Sequence, residues 1–350
     1  MENFKKKSLL ELRQMRLAEL EQYHKDLRKY EYENGIPLTG IQFRQAIHKP
    51  LLELIKLDRL ISGEELYIIG DKREKTNKPV IYAATHIGGN DIQRIFEAIN
   101  DHAYLFLGDP KETYIDATGI LLDLNGVIRL ETDDKVDRAI GYNRAVELIK
   151  KGGSLLIFPE GAWNIIENLL VLKLYNGTVR MANETEVDII PIAIEQYANR
   201  FFVNVGKNIP YDPKKSGDII AMNDLLRDTL ATLKWDIWER IGDSTRASIT
   251  KDEITKFRES IVARCGYGYT IEDVYKTMYH DKKVTSPEVA YPIAPEVSFH
   301  LLEGDFEEAK RLFNEIEARK RAIASINVKN IETSNQLITS DVPLSRVRKL

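Results

Sequence analysis

Between residues 65 and 205, short apolar runs alternate with helical stretches, and that alternation points to an α/β fold. The runs are 65–70, 80–84, 103–107, 127–130, 154–158, 188–194 and 201–205. Helical periodicity falls between several of them, at 91–100, 137–151 and 177–183. Helical crossovers favour a mostly parallel central sheet covered by helices. Chemistry in such a sheet belongs on the loops at strand ends.

The loop after Val80-Ile81-Tyr82-Ala83-Ala84 reads Thr85-His86-Ile87-Gly88-Gly89-Asn90-Asp91. On a continuous helix His86 and Asp91 point about 140° apart. A strand before the histidine and a helix after the asparagine let the two fold together. Gly88 and Gly89 supply the backbone freedom that this turn needs, and Asn90 is expected to cap the helix. A neutral imidazole held by a carboxylate can take a proton from an attacking hydroxyl, so the pair is the candidate general base. The same spacing recurs at His300 and Asp305 without a preceding strand, and that copy is read as structural.

Three further blocks follow in order: Gly126-Val127-Ile128-Arg129-Leu130-Glu131-Thr132, Phe158-Pro159-Glu160-Gly161-Ala162-Trp163-Asn164 and Ile190-Pro191-Ile192-Ala193-Ile194. The ordered set resembles the glycerolipid acyltransferase family, typified by 1-acylglycerol-3-phosphate acyltransferases. Its blocks are usually written H-x-x-x-x-D, G-x-I-x-x-x-R, F-P-E-G-T-R-S and V-P-V-A-I. The resemblance spans roughly residues 80–205. It implies a glycerolipid-acyltransferase-like fold, His86 as base and Asp91 as its partner, with Gly126, Pro159, Glu160 and Gly161 in the acceptor-binding blocks. It also implies an acyl thioester co-substrate, on coenzyme A or acyl carrier protein, with no bound cofactor and no covalent acyl-enzyme. No G-x-S-x-G elbow is present in the sequence.

Two departures bear on the acceptor. Thr132 stands where the second block usually has arginine, and Trp163 where the third has it. A phosphate is best held by arginine. Arg129, Arg138, Lys173 and Arg180 are the candidate replacements. An uncharged glycolipid or polyol hydroxyl is the alternative acceptor, with Trp163 stacked on a sugar, covering the acyl group or packed in the core. A non-catalytic lipid or carrier-protein binder is the alternative from another class.

The 350 residues are expected to divide into an N-terminal helical extension (1–62), a catalytic domain (63–212), a C-terminal helical region (213–326) with a helix at 305–324, and a loosely ordered tail (327–350). The single cysteine, Cys265, excludes an internal disulfide, and no Cys/His cluster has metal-ligand spacing. A net charge of −4 gives no reason to expect nucleic acid. The sequence shows no signal peptide and no spanning segment, so a cytoplasmic protein is expected, with peripheral contact on the inner membrane face as the lipid acceptor demands. A candidate surface for that contact is the stripe Leu9, Leu12, Leu20, Tyr23, Leu27 and Tyr30; residues 1–60 hold 12 Lys+Arg against 9 Asp+Glu. Packing of that helix on the catalytic domain is the alternative.

Overall fold

Each apolar run becomes a strand of one sheet in the computed structural model, which describes residues 4–109, 111–166, 169–214, 217–241, 250–264, 268–278 and 311. The strands are β1 (Glu65–Asp71), β2 (Ile81–Ala84), β3 (Tyr104–Gly108), β4 (Val127–Leu130), β5 (Leu155–Ile157), β6 (Ile189–Tyr197) and β7 (Arg200–Val205). Their order is β1-β7-β6-β2-β5-β3-β4. The block β6-β2-β5-β3-β4 is parallel, β7 runs antiparallel to β6, and β1 is parallel to β7. The sheet is therefore mostly parallel, with a reversed edge pair. The carboxyl ends of the parallel block share one rim, and the loop carrying His86 leaves β2 there.

The helices are α1 (Leu9–Arg13), α2 (Leu17–Glu33), α3 (Ile41–Ile61), α4 (Asp91–Ile99), α5 (Ala117–Asn125), α6 (Lys135–Lys150), α7 (Gly177–Thr185), α8 (Ile219–Ile241), α9 (Lys251–Arg264) and α10 (Ile271–Thr277). Helix α8 begins before Asn223, the expected cap, because Asp218 accepts from Ala221 N at 2.9 Å. Thr270 and Asp273 form a reciprocal capping box on α10. None of the described helices is long and apolar enough to cross a membrane. Gly242, Cys265, the His300–Asp305 pair and the tail from 327 lie outside the described residues, as does the expected helix at 305–324 apart from Arg311.

The chain divides into two compact units. The first joins residues up to Pro159 with Tyr175–Lys234 and contains the whole sheet. In its core Tyr82, Ala84, Leu105, Leu156, Ile190 and Ile192 from the central strands meet Ile95, Phe96 and Ile99 of α4. Burying each large side chain of this kind contributes about 1.5–3 kcal/mol. The second unit contains residues 160–174 and those from 235 on. There Ala162, Ile165 and Leu172 pack with Ile261, Val262, Val274 and Met278 from α9 and α10.

The N-terminal stripe is not a free membrane-binding helix. It breaks between α1 and α2, with Arg16 as N-cap of the second. Leu12, Leu20 and Tyr23 are buried with Tyr114, so packing on the sheet domain consumes the face. Arg28 of α2 forks onto Asp137 (2.9 and 2.6 Å) and donates to the Tyr114 hydroxyl at 2.7 Å. His24 stacks on the Tyr114 ring at 3.9 Å. Burial, followed by the positive charges of Arg28 and Arg129, pushes the His24 pKa down to about 4. Between pH 6.5 and 4 the unfolded chain therefore takes up a proton that the folded chain refuses. The His24 contribution to stability is complete above pH 6.5 and falls as the pH drops through that window. Replacing His24 with Phe keeps a ring on Tyr114 and removes the titration. Urea midpoints measured from pH 7 to pH 4 are expected to fall less steeply for His24→Phe than for the wild type; parallel slopes would contradict the assignment.

Candidate active site

The site begins with backbone geometry. Strand β2 ends at Ala84 and α4 begins at Asp91, leaving six residues to reverse the chain. Gly88 and Gly89 both take left-handed angles, φ 79° and 64°, which a side chain would resist. The turn returns Asp91 to His86, and Asp91 Oδ2 lies 2.7 Å from His86 Nδ1. The same oxygen accepts from Ile87 N and Gly88 N, each at 2.9 Å. Asp91 is 1% exposed. A buried carboxylate held by two amides and a ring N–H is fixed in position. With Nδ1–H donating to Asp91, the lone pair of the neutral ring is at Nε2. Phe158, just after β5, stacks on the imidazole at 4.1 Å, and Thr85 ties the strand end to β6 by accepting from Ile194 N at 3.0 Å.

Asn90 occupies the N-cap but makes no side-chain cap bond. Its amide donates instead to Glu64 Oε1 at 2.8 Å, and Arg94 Nε donates to Glu64 Oε2 at 2.9 Å. Arg94 is fully buried and also bonds Glu97 Oε2 at 2.9 Å, with Asp58 Oδ2 at 3.3 Å. Breaking such a buried pair from one side typically costs about 3–5 kcal/mol. Arg94 and Glu64 are positioning residues that the spacing argument missed. The available signal is an arginine on the buried arc of α4, one turn after Asp91, but its partner lies 30 residues upstream.

The remaining candidates fall in different places. Gly126 is buried before β4, at the opposite end of the strands from His86; strand geometry separates them by about 20 Å. A Cβ at Gly126 would meet the Tyr104 ring at 2.7 Å, and its φ is 105°. The Tyr104 ring therefore leaves no room for a side chain at this position. Arg129 stands on edge strand β4, three strands from β2 and about 14 Å away laterally. Its guanidinium pairs with Asp123, donates to Gly119 O at 3.3 Å and lies over the Tyr114 ring. Arg138, exposed on α6, donates to the carbonyl of Thr132, so a guanidinium does reach the end of the second block. Arg180 is exposed on α7. Pro159 is buried in the first unit, where its carbonyl accepts from Tyr175 N at 2.8 Å.

Glu160, Gly161, Trp163 and Lys173 belong to the second unit. Glu160 is fully buried and its Oε2 accepts from Leu172 N at 2.7 Å, closing the loop on itself. Gly161 turns the chain at φ 65°. Trp163 is half-buried and meets Tyr269 edge-on at 5.7 Å, while Lys173 is half-buried. Asn164 is fully buried; it donates to Leu169 O at 2.8 Å and accepts from Ile166 N at 3.1 Å. The third block thus carries loop-closing side chains as well as candidate binding groups.

A carboxylate-held histidine at the carboxyl rim of a mostly parallel sheet, followed by an F-P-E-G loop, defines an α/β acyltransferase. Residues 65–195 match the family model described as Acyltransferase. That segment is similar to acyltransferases. The chain is similar to a 1-acyl-sn-glycerol-3-phosphate acyltransferase of Borreliella burgdorferi, 26% identical over 207 residues that cover 59% of this chain and 77% of the relative. It is also similar to the Saccharomyces cerevisiae protein of that name, 21% identical over 266 residues that cover 69% and 76%. The crystal structure of the 1-acyl-sn-glycerophosphate acyltransferase PlsC from Thermotoga maritima superposes with a TM-score of 0.47 at 14% identity, covering 59% of this chain and 86% of that one.

Proposed function

We propose that this chain transfers a fatty acyl group from a thioester of coenzyme A or acyl carrier protein to a hydroxyl of a lysophospholipid or glycerol-phosphate-type acceptor. The observation that carries the mechanism is the 2.7 Å contact between His86 Nδ1 and buried Asp91. Nε2 takes the hydroxyl proton as the acceptor oxygen attacks the thioester carbonyl. The negative charge of Asp91 stabilises the imidazolium. Collapse of the tetrahedral intermediate expels the thiolate, which takes the proton back from Nε2. Ester and thiol leave, the histidine returns to its starting state, and the balance needs neither a metal nor a cofactor.

The guanidinium of Arg138, which donates to the Thr132 carbonyl at the end of the second block, supports a charged acceptor, although the Asp109 carboxylate also bonds Thr132. The second reading, an uncharged glycolipid or polyol hydroxyl, is favoured by Trp163 in the usual arginine position and by the pairing of Arg129 with Asp123. Both readings place the protein at the periphery of a membrane, on the inner, cytoplasmic face where thioester donors are made. Purified chain supplied with acyl-coenzyme A or acyl carrier protein thioesters and each acceptor class is expected to release free thiol and yield the acylated product of 1-acylglycerol-3-phosphate by mass spectrometry. Arg138→Ala is expected to raise the KM for that acceptor and leave the KM for the donor unchanged. Acylation of a neutral acceptor alone would establish the second reading. Absence of thiol release with every donor and acceptor would overturn both.

A further inference from the structure

Strand β6 outlasts its neighbour β2. Ala84 closes β2 opposite Ile192, whereas β6 runs on to Tyr197 with all nine of its residues buried. Successive residues of a strand turn their peptide groups to alternate neighbours, so Ile194 faces β2 as Ile192 does. Burial keeps water from its N–H and C=O, and a buried peptide group left unpaired is costly. In a regular parallel ladder the Thr85 carbonyl would accept from Ile194 N. Here the Thr85 hydroxyl takes that place. Its Oγ1 accepts from Ile194 N at 3.0 Å and donates to Ile194 O at 3.4 Å. The Thr85 N–H keeps its own ladder bond, to Ile192 O at 3.0 Å.

A hydroxyl carries one donor and two acceptor lone pairs, so it can serve both groups of Ile194 at once. The main chain is thereby released from β6 at Thr85, and it leaves toward the opposite neighbour. Strands β5 and β6 flank β2 on either side. The next side chain, His86, stacks on Phe158, which follows β5, and meets Asp91 Oδ2 at 2.7 Å. The point of release fixes where the imidazole stands above the strand ends. Thr85 is fully buried, out of reach of a substrate, so its effect passes through His86.

We propose that Thr85 is a positioning residue for the base: its hydroxyl replaces its carbonyl at Ile194 and so sets His86 between Phe158 and Asp91. The kinetic readout rests on the acyl-transfer reading; the spectroscopic one does not. Thr85→Val keeps the volume and the β-branch and removes the hydroxyl. Residue 85 can then serve Ile194 N only by dropping back into the ladder, which draws His86 away from Asp91. In the full chain kcat is expected to fall at least about tenfold, because a misplacement of about 1 Å can cost about 10². The KM for the thioester donor is expected to stay unchanged. The Nδ1 proton resonance of His86, recorded with nitrogen-labelled histidine and assigned by its loss in His86→Ala, is expected to shift. Thr85→Ser restores the hydroxyl and is expected to return both readouts most of the way to wild type. Circular dichroism and the urea midpoint verify each fold. If Thr85→Val does not fold, Thr85→Cys carries the same expectation, since a thiol accepts only weakly. Equal kcat in wild type and variant would overturn the proposal. So would a fall in kcat with an unmoved resonance, or Thr85→Ser as impaired as Thr85→Val. A resonance that moves in a chain without any turnover defeats the acyl-transfer reading alone.

Discussion

Replacing His86 with alanine is expected to lower acyl transfer by about 10²–10⁴ at saturating acceptor, the range that a positioned general base contributes. Thiol release from the donor, timed before and after the substitution, measures the loss. The fold should survive. Asp91 Oδ2 keeps its bonds from Ile87 N and Gly88 N, and the histidine ring is only partly buried. Residual turnover would come from positioning both substrates. Turnover equal to wild type, in a protein with an unchanged circular dichroism spectrum, would remove His86 from the mechanism.

The second large effect separates charge from shape. In Asp91→Asn the amide oxygen can occupy the place of Oδ2 and accept the same two backbone N–H bonds, so the turn is retained. What disappears is the negative charge beside Nδ1. The imidazolium formed as the hydroxyl proton transfers loses its counter-charge, and an analogous substitution in a serine-protease triad costs about 10⁴. A drop of about 10²–10⁴ is expected when chemistry limits the rate. It should fall mainly on kcat, with KM for the donor little changed. An unaltered kcat, with a solvent isotope effect showing proton transfer to be rate-limiting, would refute the pairing.

Much of this arrangement was legible before any coordinates. Each strand is a short run rich in Val, Ile, Leu, Ala or aromatic residues, which is why all seven runs appear as strands, with boundaries shifted by at most three residues. The reversed edge pair was not legible, because composition carries no information on strand direction; the tight Tyr197–Arg200 connection supplies it. Helix α5 was also missed: Ile120, Leu121 and Leu124 are exposed, so its apolar positions do not form a single core-facing stripe. At the site, the double glycine revealed the turn, but Asn90 looked like a cap and is instead a donor to Glu64. Gly126 was legible as part of a block, but not that the ring of Tyr104 leaves no room there for a side chain. In each of these cases the deciding partner is distant in the chain, and local spacing cannot indicate it.

The turn from Thr85 to Asp91 is nearly self-sufficient. Its hinge glycines, its carboxylate and its two amide donors all lie within seven consecutive residues, with Glu64 and Phe158 as outside supports. One short segment consequently sets the His86–Asp91 contact, and a substitution elsewhere that spares Glu64 and Phe158 leaves that contact in place.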